Sequence, residues 1–149
     1  MPSASLTFVL NLLSTWYMVG LIWMVQIVHY AMFDRVGTEQ FVRYEEDHTR
    51  LITPIVAVPM LIELATAALL VVASPVGFPR WAAVVGLLAV VGLWVTTVVF
   101  SIPYHDLLLK GFETSAHEGL VRTNWIRTVL WSGRGALLGW FLYGMMDRG

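Results

Sequence analysis

The chain has 149 residues, of which 58% are hydrophobic and 13% charged, about half the charged share of an ordinary soluble domain. Lys and Arg number 9 against 10 Asp and Glu, so the net charge of −1 provides no basic field for nucleic acid. With no Cys, disulfides, thiolate metal sites, iron–sulfur clusters and thiol nucleophiles are excluded, and any metal must sit on His, Asp or Glu.

Four apolar stretches, residues 6–33, 51–73, 81–102 and 125–146, predict four transmembrane helices. Each reaches the roughly 20 residues that a bilayer core requires. The first follows a start with no Lys or Arg, is too long for a secretory signal and lacks a small-residue cleavage pattern, so the N-terminus is expected to stay attached. Thr38 is placed to cap an amphipathic helix feeding span two. Glu39/Arg43 and Glu46/Arg50 would be i,i+4 pairs on one face, with Phe41, Tyr44, Glu45 and His48 on the other. Pro54 and Pro59 should kink span two near that end. Residues 74–79 (Ser-Pro-Val-Gly-Phe-Pro) suit a tight hairpin into span three. Ser115-Ala116-His117-Glu118 reads as a capping box that starts a long fourth helix running through Asn124 and Arg127, in which Gly135 and Gly139 allow close approach of a neighbour.

The face with the two longer connections carries Arg35, Arg43, Arg50, Lys110, Arg122 and Arg127, and the other only Arg80 and Arg148. The positive-inside rule then makes the long-connection face cytoplasmic and puts both termini outside, as in a multi-pass protein of the plasma (inner) membrane. The fold class read from this pattern is an all-α integral membrane four-helix bundle forming a single domain. His29 to His48 and His105 to Asn124 are both 19 residues apart, a faint sign of a duplicated hairpin.

All four His residues map to the long-connection face. Helical spacing gives each helix one polar stripe: Asn11, Thr15, Gln26 and His29; Glu45, His48 and Glu63; Thr97, Ser101 and His105; His117, Asn124, Arg127, Trp131 and Arg134. Stripes of this kind escape lipid only by facing one another. Glu63 and Arg134 fall at similar depths, about 18 and 13 Å from that face at 1.5 Å per residue, and can meet. Either they form an ion pair, or Glu63 is a metal ligand or proton acceptor and Arg134 an anion clamp.

His29, His48, His105 and His117 with Glu63 are candidate ligands for iron, copper, zinc or manganese, because imidazole and carboxylate suit these ions and Glu45-x-x-His48 puts both side chains on one helix face. A full di-iron pattern is not present. Haem b is the second cofactor option, with His29 and His105 as axial ligands and Arg127 or Arg134 on the propionates. The bland alternative has the His residues solvated or paired with Asp34, Asp47, Asp106 and Glu118. Trp16, Trp23, Trp94 and Trp131 lie deep enough to line a pocket, although packing would account for them as well.

Trp23-x-x-Gln26-x-x-His29-Tyr30, residues 48–54 (His-Thr-Arg-Leu-Ile-Thr-Pro), Pro59-Met60-Leu61-x-Glu63-Leu64 and Asn124-Trp125-Ile126-Arg127-Thr128 together resemble a group of small, largely uncharacterised four-span bacterial membrane proteins. The resemblance implies fold and location and no activity. In size and span number the chain is also similar to anthrone-oxygenase-like membrane proteins.

The function expected is redox chemistry on a lipophilic small molecule, such as a lipid, quinone or polyketide-like ring, at a metal or haem site open to the cytoplasmic side. Glu63, Arg127 and Arg134 would be its catalytic residues. The rival expectations are a non-enzymatic subunit packing against membrane-complex partners and a small proton-coupled carrier, the latter as a homo-oligomer.

Overall fold

A computed structural model describes residues 4–147, and among them the chain is all helical, with no strand. Arg148, which the sequence assigns to the opposite face, lies outside the described residues. The first helix, α1 (Ala4–Met24), continues through a π-helical turn (Val25–His29) into a 3-10 turn (Tyr30–Arg35). Next come α2 (Thr38–Val72), then α3 (Arg80–Thr96), a second π turn (Thr97–Ser101), α4 (Ile102–Leu108), and finally α5 (Thr114–Met146).

Three helical stretches are long and apolar enough to cross a membrane: Ala4–Arg35, Thr38–Val72 and Arg80–Leu108. The fourth expected span lies within α5, which has the length, 33 residues, but is less apolar because Arg127 and Arg134 interrupt it.

The connections depart from the expected capping chemistry. The amphipathic segment and span two are one continuous helix of 35 residues that accommodates both Pro54 and Pro59. It begins at Thr38 with Gly37 as its cap and no side-chain cap bond, and Arg50 pairs with Asp47 at 2.6 Å rather than with Glu46. Glu113, not Ser115, caps α5, and the Ser115 hydroxyl donates to the Glu113 carboxylate instead. The hairpin between α2 and α3 does form. There Gly77 adopts φ +90°, and a Cβ would sit 2.6 Å from Met145 Cγ, so backbone conformation and space both require glycine.

Packing places α1 against α2 and α5, and α3 against the same two. Apolar clusters form at three levels: around Phe8, Leu70 and Phe78; around Met18, Met60 and Trp131; and around Phe33, Phe41 and Leu120. The outer surface inverts the pattern of a water-soluble protein. Leu13, Leu88 and Val129 are 61, 65 and 65% exposed, while Asn11, Gln26, Glu45, Glu63, Asn124, Arg127 and Arg134 are buried. Such a surface, with three apolar helices beneath it, is compatible with a multi-pass membrane protein.

Candidate functional site

The buried polar residues form layers between the apolar clusters. In the deepest layer, Arg134 Nε meets Glu63 Oε1 at 3.3 Å, with both side chains 1% exposed. Thr15 Oγ1 donates to Glu63 Oε1 at 2.7 Å and Trp131 Nε1 donates to Oε2 at 2.9 Å. Arg134 also donates from Nη1 to the Gly86 carbonyl and from Nη2 to Asn11 Oδ1, each at 2.7 Å. Each guanidinium nitrogen and both carboxylate oxygens therefore have a partner within the protein. The sequence stripes account for the convergence: Asn11 and Thr15 share a face of α1, and Trp131 and Arg134 share one of α5.

One layer up, Asn124 Nδ2 donates to Gln26 Oε1 at 2.9 Å, and Gln26 Nε2 donates to the Val121 carbonyl at 3.2 Å. Arg127 is different. Its Nη1 donates to Ser101 Oγ at 2.9 Å, and its guanidinium stands 5.2 Å from the Trp131 ring centroid. Its Nε has no partner within the protein.

The histidine layer draws on three helices. His29 Nε2 and His48 Nδ1 share a hydrogen bond of 2.8 Å, and His48 lies between His29 and His105, with ring centroids 4.6 and 5.2 Å away. His105 Nδ1 contacts Glu45 Oε1 at 2.5 Å. With the carboxylate accepting, Nδ1 carries the proton, and Nε2, 3.0 Å from the Tyr30 hydroxyl, is left to accept from it. The result is a chain of carboxylate, imidazole and phenol with Glu45 fully buried at its inner end. The Phe33 ring packs against His29 and His48, each at 5.3 Å. The two π turns sit directly beside this layer: one ends at His29 and the other, at Ser101, precedes His105 by a single turn. Such turns recur at functional sites because the added residue redirects the neighbouring side chains.

A cavity of about 360 Å³ lies between α1, α2 and the α3–α4 helix, within the range of small-molecule pockets. Most of its wall is apolar, including Met18, Ile22, Val56, Ala57 and Met60, and its polar end holds Tyr30, His48, His105, Ser101 and Arg127. Thr53, Ile102 and Asp106 line it and are exposed, so it reaches the surface between α2 and α4. A second hollow of about 280 Å³ touches the other side of the pair His29 and His48, beside Tyr44 and Asp47.

No family model, curated protein or solved structure matches the chain. The site must be read from its own geometry.

Of the residues expected to act together, His29, His48 and His105 do converge. His117 stands apart, its Nε2 bonded to the Tyr30 carbonyl at 2.7 Å and its ring stacked on Phe33. Glu63 belongs to the deeper layer with Arg134. Among the described residues, no three His, Asp or Glu side chains are arranged to hold one metal ion. For haem, His105 has both ring nitrogens in hydrogen bonds and His29 Nε2 is bonded to His48, so axial ligation would require these bonds to break. Trp94, expected to lie deep enough to line a pocket, does line the cavity, whereas spacing does not single out Tyr30 as a site residue. Tyr30 directly adjoins His29 in the chain, and that adjacency is the signal that could have found it. Glu45 is visible in the sequence as a member of the polar stripe with His48 and Glu63 and as the partner of His48 in Glu-x-x-His, not as a partner of His105.

Proposed function

We propose that the chain is a multi-pass integral membrane protein whose four long helices form a transmembrane bundle, and that it binds a lipophilic small molecule in the cavity for acid–base chemistry at the histidine end. α5 can serve as the fourth span despite its two arginines because both are turned inward, Arg127 at 5% and Arg134 at 3% exposure, while Val129 and Trp140 face outward. On the histidine side the exposed basic residues are Arg35, Arg43, Arg50, Lys110 and Arg122, against Arg80 on the other among the described residues. Arg127 drops out of that count because it is buried, and the bias still favours a cytoplasmic histidine face.

One observation carries the ligand reading. Of the five buried side-chain atoms without a hydrogen-bond partner among the described residues, His48 Nε2, Trp94 Nε1 and Arg127 Nε belong to residues that line the cavity. Unspent polar atoms on residues at the polar end of an apolar cavity match a guest with a polar head and a greasy body. The chain Glu45–His105–Tyr30 would hold or deliver a proton there, the carboxylate orienting the imidazole and the imidazole accepting from the phenol. The test is solvent extraction and mass spectrometry of the purified chain beside Ala57→Phe, which fills the cavity from its wall. A lipophilic molecule carried by the native chain and lost from the variant supports the reading. Equal or no recovery from both counts against it and favours a packing subunit of a larger complex.

A second reading keeps the metal or haem and the redox chemistry. What supports it is that Glu45 Oε2 and His48 Nε2, one turn apart on α2, are buried and without partners, and both are Lewis-basic donors when His48 carries its proton on Nδ1. Elemental analysis with a visible absorption spectrum of the detergent-purified chain decides it. Stoichiometric iron, copper, zinc or manganese supports the centre, a Soret band supports haem, and neither, before or after reconstitution, removes it. The carrier alternative would rest on Glu63, whose oxygens are all engaged by donors.

A further inference from the structure

We infer that the guest of this cavity is an amphiphile with an oxyanion head, a carboxylate or phosphate monoester on a single apolar chain, held by the Arg127 guanidinium. The inference rests on the cavity being a ligand site and adds the charge of the ligand.

Among the described residues Arg127 is the buried arginine without a carboxylate partner. Arg134 has Glu63, and exposed Arg50 has Asp47. Among the described residues no carboxylate lies within 4 Å of Arg127, although the side chain is almost fully buried. Glu45, in the histidine layer, gives Oε1 to His105 Nδ1, and its free Oε2 is not within 4 Å of Arg127. A buried guanidinium is costly unless its charge is met, and its flat fork of donors matches the two oxygens of a carboxylate or phosphate. The neutral hydroxyl of Ser101 accepts from one of those donors and the Tyr30 phenol stands beside the guanidinium, but neither carries a charge and Nε stays open.

Two other residues that line the cavity carry an unpaired atom, Trp94 at Nε1 and His48 at Nε2. Trp94 Nε1 can only donate, so with Arg127 the residues around the cavity offer two unspent donors and ask for an acceptor, and His48 Nε2 joins them as a third donor when its Nδ1 accepts from His29. A cationic head would meet repulsion, and a plain hydroxyl would leave the charge uncompensated. The apolar wall between α1 and α2, from Met18 to Met60, accounts for the chain of such a molecule, and the exposed mouth between α2 and α4 gives it a route in from lipid.

The test uses the whole chain in a neutral detergent without an alkyl tail, with radiolabelled laurate binding read by scintillation proximity. Laurate, dodecyl phosphate, dodecanol and dodecyltrimethylammonium compete for it at equal chain length. Saturable laurate binding is expected, with both oxyanions competing at least about tenfold better than dodecanol, since a charge-assisted bond is worth about a factor of ten or more. Their order assigns carboxylate or phosphate. Arg127→Met should erase the preference over dodecanol, Arg127→Lys should restore part of it, and Trp94→Phe should weaken both oxyanions while leaving the charge in place. Dodecanol competing as well as laurate on the native chain overturns the anionic head and leaves a lipophilic pocket standing. Failure of all four to displace a saturable signal, or no saturable signal, overturns the pocket and the head group together. The comparison among heads needs no variant, so misfolding of Arg127→Met does not rescue the idea.

Discussion

Replacing Glu63 with Gln keeps the size and shape of the side chain and removes the charge that faces Arg134. At the observed 3.3 Å, two unit charges attract by about 5 kcal/mol at an effective dielectric of about 20. Breaking one side of a buried pair costs about 3–5 kcal/mol, because the remaining charge stays buried. The hydrogen bonds add to this. Whichever way the new amide turns, its NH₂ meets a donor: the Trp131 indole on one side, the Arg134 guanidinium on the other. Thr15→Val and Trp131→Phe each take one donor from the carboxylate and leave both charges in place, so each should cost about 1.5–3 kcal/mol, less than Glu63→Gln. Equilibrium unfolding with increasing dodecyl sulfate in mixed micelles, followed by tryptophan fluorescence, measures the series. A double-mutant cycle of Glu63→Gln with Arg134→Met should show a coupling of about 2–3 kcal/mol. A Glu63→Gln variant within about 1 kcal/mol of native, with no coupling to Arg134, would refute the view that this pair holds the helices together through its charges.

Two glycines of the third long helix should behave oppositely. A Cβ at Gly86 would lie 2.9 Å from Arg134 Nη1, which is pinned to that residue's own carbonyl, so Gly86→Ala should cost about 1–3 kcal/mol. Gly92 has only Leu130 Cδ1 at an ordinary 3.5 Å, so Gly92→Ala should gain about 0.5–1 kcal/mol through reduced chain entropy, and thermal unfolding in detergent separates the two signs. Phe33 is fully buried behind the histidine layer, so Phe33→Ala should cost about 3–5 kcal/mol in the same unfolding assay, and Phe33→Leu under about 2.

The deep polar layer was legible in the sequence because it obeys two simple rules. A charge in an apolar helix must face inward, and ideal helical rise places Glu63 and Arg134 at nearly one depth. The histidine layer was legible only as a set of residues at one end. Which atoms meet depends on the π turns at Val25–His29 and Thr97–Ser101, each of which inserts an extra residue and rotates the rest of its helix away from the ideal stripe. Tyr30, just beyond the first of these turns, therefore escapes an argument from 3.6-residue spacing, whereas the stripe Thr97, Ser101 and His105 that such spacing does give lines the cavity. The caps depart from expectation for a local reason. Thr38 and Ser115 have the right side chains for the role, but the backbone leaves the helix at Gly37 and Glu113, and the Ser115 hydroxyl finds a carboxylate instead. Arg127 is read from the sequence in two ways, as one of the basic residues of the long-connection face and as a member of the inward stripe of the fourth helix, and in the structure it is buried and lines the cavity.

The central claim, a lipophilic guest in the cavity with its head at the histidine end, is tested most directly by photolabelling. A long-chain carboxylate carrying a diazirine midway along the chain would be irradiated with the protein in nanodiscs and its adducts located by peptide mass spectrometry. The account predicts saturable labelling at cavity-lining residues such as Met60 and Trp94, abolished by excess unlabelled laurate and by Ala57→Phe. Labelling confined to outward-facing positions such as Leu61 and Val129, unsaturable and indifferent to competitor, would contradict it.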